Sequence, residues 1–486
     1  MHDTVLRNRR SRRRSEFAAG LSLAVCMASN HARAQGRLAE PFDTAYSREA
    51  RAAFGAHNLC AGLWVVGRVY QRSPAQVLAE DIRPFQLFGW ETDFSYSIDS
   101  VHRAVTVRAP GATPRVAIFN GDQGCSILSR GERAIHFKPV RVTPKLADAA
   151  TQPWPTGDAG AVASFPEINR RALDAALDWT MAQKDHNTRA LVVVYRGQIV
   201  GERYAAGWTK DTPQISWSEG KSVVGALIGV LVGRGDIKVD APAPIAEWHG
   251  HGDPRAKISV HDLLNMSSGL DFLYAQKIGP DAFTRDNKHL RVYSDAVDVF
   301  SYAINNPLAA RPGTRWSYQN SDPLVLGKII ESAVTARHES YLTFPQRALF
   351  DEIGIRSAVL ETDAWGHFIL NGFDYLSARD WARFGLLHLR DGVWNGKRIL
   401  PAGWVKFVTT PAPAAPQQLY GGMFWLNRSE ELKGIPRDAY WADGAMGQYT
   451  LIIPTRDVVI VRLGPSSDVP RPFLAEIGRR VLAGLP

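Results

Sequence analysis

The stretch Ser216-Trp217-Ser218-Glu219-Gly220-Lys221-Ser222 leads directly into the apolar run 223–232. A polar segment that turns into an apolar run predicts the start of a buried helix near Ser218. Residues three apart on a helix share one face, so Ser218 and Lys221 should lie side by side at the positive end of the helix dipole. A desolvated lysine can lose its proton and then act as a base toward a serine hydroxyl. The stretch therefore predicts a serine nucleophile with a lysine partner.

The alternative is that Ser218 only caps a helix and Lys221 is a solvated side chain. A chain of this length and composition contains about one Ser-x-x-Lys pattern by chance, so the pattern alone decides little. A second pattern, Tyr318-Gln319-Asn320, follows about 100 residues later, in a segment that predicts a loop feeding a helix. A phenol beside an ammonium group can be pushed toward phenolate, act as a general base and return the proton to a leaving group.

Four segments together resemble the penicillin-recognising serine hydrolases: 216–222, 263–270 (Leu-Leu-Asn-Met-Ser-Ser-Gly-Leu), 318–320 and 441–448 (Trp-Ala-Asp-Gly-Ala-Met-Gly-Gln). That group includes class C β-lactamases, D-alanyl-D-alanine carboxypeptidases, family VIII esterases and 6-aminohexanoate-dimer hydrolases. The resemblance is greatest to the last of these and to their exported relatives, and it covers about residues 166–486. It implies an α+β fold of the β-lactamase/transpeptidase type, with an antiparallel sheet flanked by helices and a mostly helical subdomain.

The resemblance also implies roles for individual residues. Ser218 would be acylated, and Lys221 and Tyr318 would share the proton transfer. The backbone N–H groups of Ser218 and Ala445 would form the oxyanion hole, each about 3 Å from the developing charge. The reaction needs no metal and no cofactor, and the substrate would be a small ester or amide. The resemblance thus implies a serine hydrolase that works through an acyl-enzyme.

The substrate-binding residues implied by the resemblance are Asn320, on the carbonyl side of the substrate, together with Asp443 and Gly444. β-Lactamases and carboxypeptidases have Lys-Thr-Gly or His-Thr-Gly at this last position, whereas this chain has Ala442-Asp443-Gly444. The missing cation weakens attraction for a substrate carboxylate, and Asp443 would repel one if it faced the site. We therefore expect neutral or cationic substrates to be preferred, unless Asp443 points to solvent or pairs with a nearby arginine such as Arg437.

Two pairs of apolar runs predict β-hairpins. One pair is 190–195 and 198–200, and the other is 449–453 and 458–461. An amphipathic segment precedes the first hairpin, and an apolar helix is expected after Pro472, following the second. This arrangement suits one antiparallel sheet covered by the terminal helices. Residues 260–400 between the hairpins are mostly helix-like, for example at 322–334 and 378–389.

Residues 35–145 precede this region. Short apolar runs there, such as 63–66 and 116–119, alternate with turn residues and predict a small N-terminal α+β module. Residues 146–165 are rich in Pro, Gly and Ala and are interpreted as a linker. The hydrolase domain is expected to span 166–486.

Residues 1–34 have the features of an export signal: a basic start, a short apolar run and Ala32-Arg33-Ala34 as the cleavage site. The expected location is therefore periplasmic or secreted, by the general or the twin-arginine route. A weak lipoprotein pattern ends at Cys26. The segment also carries more than half of the formal net charge of +9, and no basic stripe remains elsewhere, which argues against nucleic-acid binding. The apolar run of this segment is too short to span a membrane, and no later run of uninterrupted apolar residues is long enough either.

Cleavage would leave two cysteines, Cys60 and Cys125, in an oxidising compartment. A disulfide between them is the simplest interpretation, and two buried free thiols are the alternative. His249-Gly250-His251 resembles a metal site but lacks a third ligand nearby, which favours a surface loop and no metal.

Several tryptophans lie beside the motifs and could line the cleft or pack in the core: Trp217, Trp248, Trp316, Trp425 and Trp441. Two other functions remain open on the same scaffold. One is a D-alanyl-D-alanine carboxypeptidase or β-lactamase, and the other is a binding protein without catalysis.

Overall fold

The computed structural model describes residues 44–85, 94–272, 287–466 and 471–486. The proposed signal segment 1–34 and its cleavage site lie outside the described residues. Residues 42–486 form one compact unit. Within the described part of this unit, none of the helices combines the length and the apolar character needed to cross a membrane.

The helices and strands have the following bounds along the chain. The α-helices are α1 Ala45–Trp64, α2 Pro74–Val77, α3 Arg170–Ala182, α4 Gly220–Gly233, α5 Val260–Leu264, α6 Lys288–Arg291, α7 Val299–Ile304, α8 Ser321–Ala336, α9 Ala378–Leu389, α10 Trp404–Val408 and α11 Arg471–Ala483. The strands are β1 Ser95–Asp99, β2 Ala104–Arg108, β3 Arg115–Phe119, β4 Cys125–Ile127, β5 Ala190–Tyr195, β6 Gln198–Tyr204, β7 Gln214–Ile215, β8 Val359–Leu360, β9 Asp374–Leu376, β10 Val393–Trp394, β11 Lys397–Arg398, β12 Trp425–Leu426, β13 Tyr440–Gly444, β14 Gln448–Ile453 and β15 Val458–Leu463.

The main sheet is antiparallel and has the order β12-β13-β14-β15-β5-β6. The two predicted hairpins are confirmed, and they meet where β15 pairs with β5, with Val458 opposite Tyr195. Alternate residues of β5 face opposite cores, so Val192 packs on one side of the sheet and Leu191 on the other. Helices α3 and α11 cover one face of the sheet, and helices such as α4 and α9 cover the other. This is the predicted α+β architecture.

The region before residue 145 contains both helix and sheet. Helix α1 begins at a capping box made by Thr44 and Ser47, and the apolar run 63–66 covers its last two residues and the start of the next turn. The strands β1 to β4 form a four-stranded antiparallel sheet against which α1 packs. A disulfide joins Cys60 on α1 to Cys125 on β4. It therefore ties the helix to the sheet.

The segment proposed as a linker, 146–165, packs against the main sheet. Trp154 is buried, and its Nε1 donates a hydrogen bond to the carbonyl oxygen of Gly197, 2.8 Å away. Val162 forms a parallel bridge with Ile199 of β6. The segment therefore packs against the hairpin of β5 and β6, and the proposed domain boundaries stay a prediction.

Candidate active site

Ser218 lies in a single 3₁₀ turn, Trp217–Glu219, and helix α4 follows directly at Gly220. The expected buried helix is therefore present, but it begins two residues after Ser218. A side chain at Gly220 would collide with the carbonyl oxygen of Leu370 and the carboxyl group of Asp374. Glycine thus allows the segment 370–374 to lie directly against the start of the helix, beside Ser218.

Lys221 is buried, with only 1% of its surface exposed. Its Nζ donates a hydrogen bond to Ser218 Oγ at 2.7 Å and lies 5.0 Å from the centroid of the Tyr318 ring. The structure therefore brings the three expected catalytic side chains together. Burial lowers the pKa of Lys221 to about 7, although the carboxylates of Asp374 and Asp443 act in the opposite direction. A lysine with this pKa is partly neutral at neutral pH, as a general base must be.

Asn371 is a site residue that the sequence analysis missed. Its backbone carbonyl accepts hydrogen bonds from Lys221 Nζ at 3.1 Å and from Ser218 Oγ at 3.5 Å. The Tyr293 hydroxyl donates a third one at 2.7 Å. A backbone carbonyl contributes through its position and not through its residue type. The only available signal was therefore the Asn371-Gly372 pair, which is typical of a turn.

Asn320 precedes helix α8 and is completely buried. Its Nδ2 donates to the carbonyl oxygen of His289 at 2.8 Å and to the Tyr293 hydroxyl at 3.1 Å. Both N–H groups of the amide therefore have protein partners. The side chain thus joins α6, Tyr293 and the start of α8, while its Oδ1 has no hydrogen-bond partner among the described residues. Its expected contact with the carbonyl side of the substrate stays a prediction.

Two buried carboxyl groups lie beside the helix start. Burial raises the pKa of Glu219 and of Asp374 well above their usual values. Glu219 accepts a hydrogen bond from the Thr450 hydroxyl at 2.7 Å, which links the start of α4 to β14. Burial and the charge of Lys221 also lower the pKa of His289, whose ring lies 6.3 Å from that of Tyr318. The site is therefore a low-dielectric environment in which charged forms are disfavoured.

The end of strand β13 lies directly against the nucleophile segment. A side chain at Gly444 would overlap the carbonyl oxygen of Ser216, so glycine permits this close approach. The next residue, Ala445, is exposed at the end of the strand. The role expected for its backbone N–H in the oxyanion hole stays a prediction.

Asp443 does not pair with Arg437, which forms an ion pair with Glu430 at 2.9 Å. Its partner is Arg471, the first residue of α11, whose Nε lies 3.6 Å from Asp443 Oδ2. Trp441 Nε1 also donates to the same oxygen at 3.1 Å. The alternative that Asp443 pairs with an arginine therefore holds, but the arginine is Arg471, from a helix that begins 28 positions further along the chain, and not Arg437. Arg471 offsets part of the charge of Asp443, although its Nη1 also forms an ion pair with Glu431 at 2.9 Å and burial raises the pKa of Asp443.

The five tryptophans divide into two groups. Trp217, Trp248 and Trp441 are buried in the core. Trp316 and Trp425 are partly exposed and lie 6.5 and 5.2 Å from the Tyr318 ring, measured between centroids. These two form an aromatic wall beside Tyr318.

A cluster outside the site brings Asp298, Asp363 and His367 within 4.8 Å of one another through their potential ligand atoms. His367 Nδ1 lies 3.0 Å from Asp298 and 3.2 Å from Asp363, and these carboxylates raise its pKa to about 10 against the effect of burial. A positively charged histidine between two carboxylates explains the cluster as an ion-pair network. His249 and His251 are exposed in a loop, as expected.

The sequence profile described as Beta-lactamase matches residues 173–482 of this chain. A 6-aminohexanoate-dimer hydrolase of Paenarthrobacter ureafaciens is 26% identical over 345 residues, which are 66% of this chain and 81% of that protein.

Two solved structures show the same fold. A putative 6-aminohexanoate-dimer hydrolase from Bacillus anthracis superposes with a TM-score of 0.53 at 23% identity, covering 67% of this chain and 90% of that one. A family VIII carboxylesterase superposes with a TM-score of 0.50 at 16% identity, covering 67% of this chain and 99% of that one. With the profile match over most of the chain, these findings lead to one conclusion: the protein belongs to the beta-lactamase family, within the serine hydrolase superfamily.

Proposed function

We propose that the protein is an exported serine hydrolase that cleaves small esters or amides through an acyl-enzyme on Ser218. The observation that carries this proposal is the 2.7 Å hydrogen bond between buried Lys221 Nζ and Ser218 Oγ. The similarity to 6-aminohexanoate-dimer hydrolase and the features of residues 1–34 support it.

In the proposed reaction, neutral Lys221 takes the proton of Ser218 while Oγ attacks the substrate carbonyl carbon. The oxyanion that forms is stabilised by the backbone N–H groups of Ser218 and Ala445. Lys221 and Tyr318 then deliver the proton to the leaving alcohol or amine as its bond to the carbonyl carbon breaks. A water molecule subsequently attacks the acyl-enzyme, the same pair removes its proton, and Ser218 is regenerated with release of the carboxylic acid.

The pH dependence of kcat/KM should report the protonation of Lys221. Protonated lysine cannot accept the Ser218 proton, so activity should fall as the pH drops through the lysine pKa of about 7 and level off above it. The measurement is a pH profile with a neutral aryl ester whose own ionisation does not change in this range. A profile that stays flat between about pH 5 and 9 would show that Lys221 is not the base.

A substrate panel separates the proposed function from a peptidase or β-lactamase. Ala442-Asp443-Gly444 carries no cation of its own, and Arg471, which the fold brings to this strand, is already paired with Asp443 and Glu431. Both features disfavour a substrate carboxylate and favour simple ester or amide substrates. A short-chain aryl ester and a linear amide should therefore be cleaved with a higher kcat/KM than a chromogenic cephalosporin. Faster turnover of the cephalosporin would favour the β-lactamase alternative, and absence of both turnover and serine labelling would favour a binding protein.

The Arg471–Asp443 pair should set the preference for substrate charge. Because the charges offset each other, the wild-type protein should discriminate only weakly between a carboxylate-bearing ester and its neutral amide-capped analogue. Arg471→Gln leaves Asp443 uncompensated and should lower the ratio of kcat/KM values for the anionic over the neutral ester by about tenfold.

The matched control is Arg471→Gln combined with Asp443→Asn, which removes both charges and should restore the wild-type ratio. Arg437→Gln, which breaks the exposed pair with Glu430, should leave the ratio unchanged. If Arg471→Gln does not alter the ratio, the Arg471–Asp443 pair does not determine the preference between anionic and neutral substrates.

A further inference from the structure

The Asn371 carbonyl oxygen is the point where the nucleophile and its base meet the rest of the protein. It accepts from Lys221 Nζ and Ser218 Oγ, and the Tyr293 hydroxyl donates to it over the shortest of the three distances, 2.7 Å. A small displacement of this carbonyl would move the acceptor that directs Lys221 Nζ. Its position therefore matters for the geometry of proton transfer.

The Tyr293 hydroxyl uses its full hydrogen-bonding capacity at this position. Besides donating to the Asn371 carbonyl, it accepts from Nδ2 of Asn320 and from Nδ2 of Asn371, each at 3.1 Å. One hydroxyl thus joins the start of α8 to the segment that carries the Asn371 carbonyl. A side chain at Gly372 would collide with the Tyr293 ring, so the ring lies directly against the backbone that it orients.

The ring of Tyr293 is held by a buried aromatic cluster. It lies 5.0 Å from Phe373 and 5.9 Å edge-on to Trp217, the residue that precedes Ser218. Trp217 has φ of +52°, a strained conformation for a bulky residue that persists only where surrounding contacts enforce it. Phe54 of helix α1 stacks on Trp217 with centroids 5.7 Å apart.

A second contact from α1 reaches the other side of the cluster. His57 stacks on Phe373 with centroids 3.7 Å apart, and its Nε2 lies 2.5 Å from a carboxylate oxygen of the completely buried Glu361. The other oxygen of Glu361 accepts from the backbone N–H of Cys125, a disulfide cysteine. The N-terminal helix therefore contacts both chain segments that flank the catalytic groups.

We propose that Tyr293 is a positioning residue, which orients the Asn371 carbonyl toward Lys221 and is itself held by an aromatic cluster that includes Phe54 and His57 of the N-terminal helix. This inference rests on the proposed function of Ser218 and Lys221. It gives the N-terminal region a part in catalysis, through support of the site and without contact with substrate.

The test is Tyr293→Phe, which keeps the ring and its packing and removes only the hydroxyl. We expect kcat on a neutral aryl ester to fall by about tenfold or more with KM within about twofold of the wild-type value, because substrate contacts are retained while proton transfer is impaired. The melting temperature should change by no more than a few degrees. The labelling rate of Ser218 by a fluorophosphonate should fall in parallel with kcat.

The matched control is Tyr440→Phe. Tyr440 is equally buried, but among the described residues its hydroxyl has no hydrogen-bond partner, so kcat should remain unchanged. Unchanged kcat in Tyr293→Phe, or an increase in KM alone, would overturn the positioning role while leaving the proposed function intact. A wild-type protein without turnover and without labelling would instead remove the proposed function and this inference together.

Discussion

Ser218→Ala should lower the turnover of an aryl ester by roughly 10³-fold or more, because no other group can form the acyl-enzyme. The fold should be retained, since the Ser218 side chain does not cap the 3₁₀ turn or helix α4. Steady-state kinetics and thermal unfolding of the same preparation measure both effects. Residual activity above about 1% would contradict the assignment of the nucleophile.

Ser222→Ala provides the control for this substitution on the same helix. Ser222 Oγ is buried and donates to the carbonyl oxygen of Met423 at 2.7 Å. Its loss should lower the melting temperature, since a buried acceptor loses its partner, but kcat/KM should stay within about threefold. We therefore expect opposite results for the two serines. Ser218→Ala should lose activity and keep its stability, whereas Ser222→Ala should lose stability and keep its activity.

Lys221→Met should be nearly as damaging to activity as Ser218→Ala, with a loss of about 10³-fold. Methionine replaces a buried amine with an apolar side chain of similar length, so the folded state should be at least as stable as in the wild type. The kinetic readout is kcat/KM on the neutral ester above pH 7, where wild-type Lys221 is largely neutral.

The double variant Ser218→Ala/Lys221→Met should be no less active than either single variant, because the two residues act as one unit. Losses that multiply in the double variant would show independent roles, and they would contradict a proton transfer between the two side chains.

The sequence predicted those parts of the molecule that depend on local pattern. The hairpins around 190–204 and 448–463 follow from alternation and turn residues, and α9 follows from its amphipathic period. The pairing of Ser218 with Lys221 follows from helical spacing, because residues three apart must share a face.

The support of the site could not be predicted in the same way. Tyr293 and Asn371 are separated by 78 positions, and the contact between them depends on a side-chain hydroxyl and a backbone carbonyl, neither of which leaves a pattern in one sequence. Arg471 reaches Asp443 only because the last helix packs beside the end of β13. The sequence allowed for a partner arginine but suggested Arg437, which is near in sequence, whereas the arginine that pairs with Asp443 comes from a different element.

Helix α1 illustrates a different limit. Short apolar runs in residues 35–145 indicated a mixed module, but they contained no information about which surface that module would cover. The stacking of Phe54 on Trp217 becomes visible only in three dimensions. It joins a region outside the matched family profile to the residue that precedes the nucleophile.

Covalent labelling tests the central claim most directly. The wild-type protein should react with a fluorophosphonate probe to give a single adduct by intact mass, and peptide mapping should place the adduct on Ser218. The adduct should be absent in Ser218→Ala and form far more slowly in Lys221→Met. An ester substrate should slow its formation in the wild-type protein, because substrate and probe compete for Ser218. An enzyme that turns over esters without forming this adduct, or one that carries the adduct on another residue, would contradict the acyl-enzyme on Ser218.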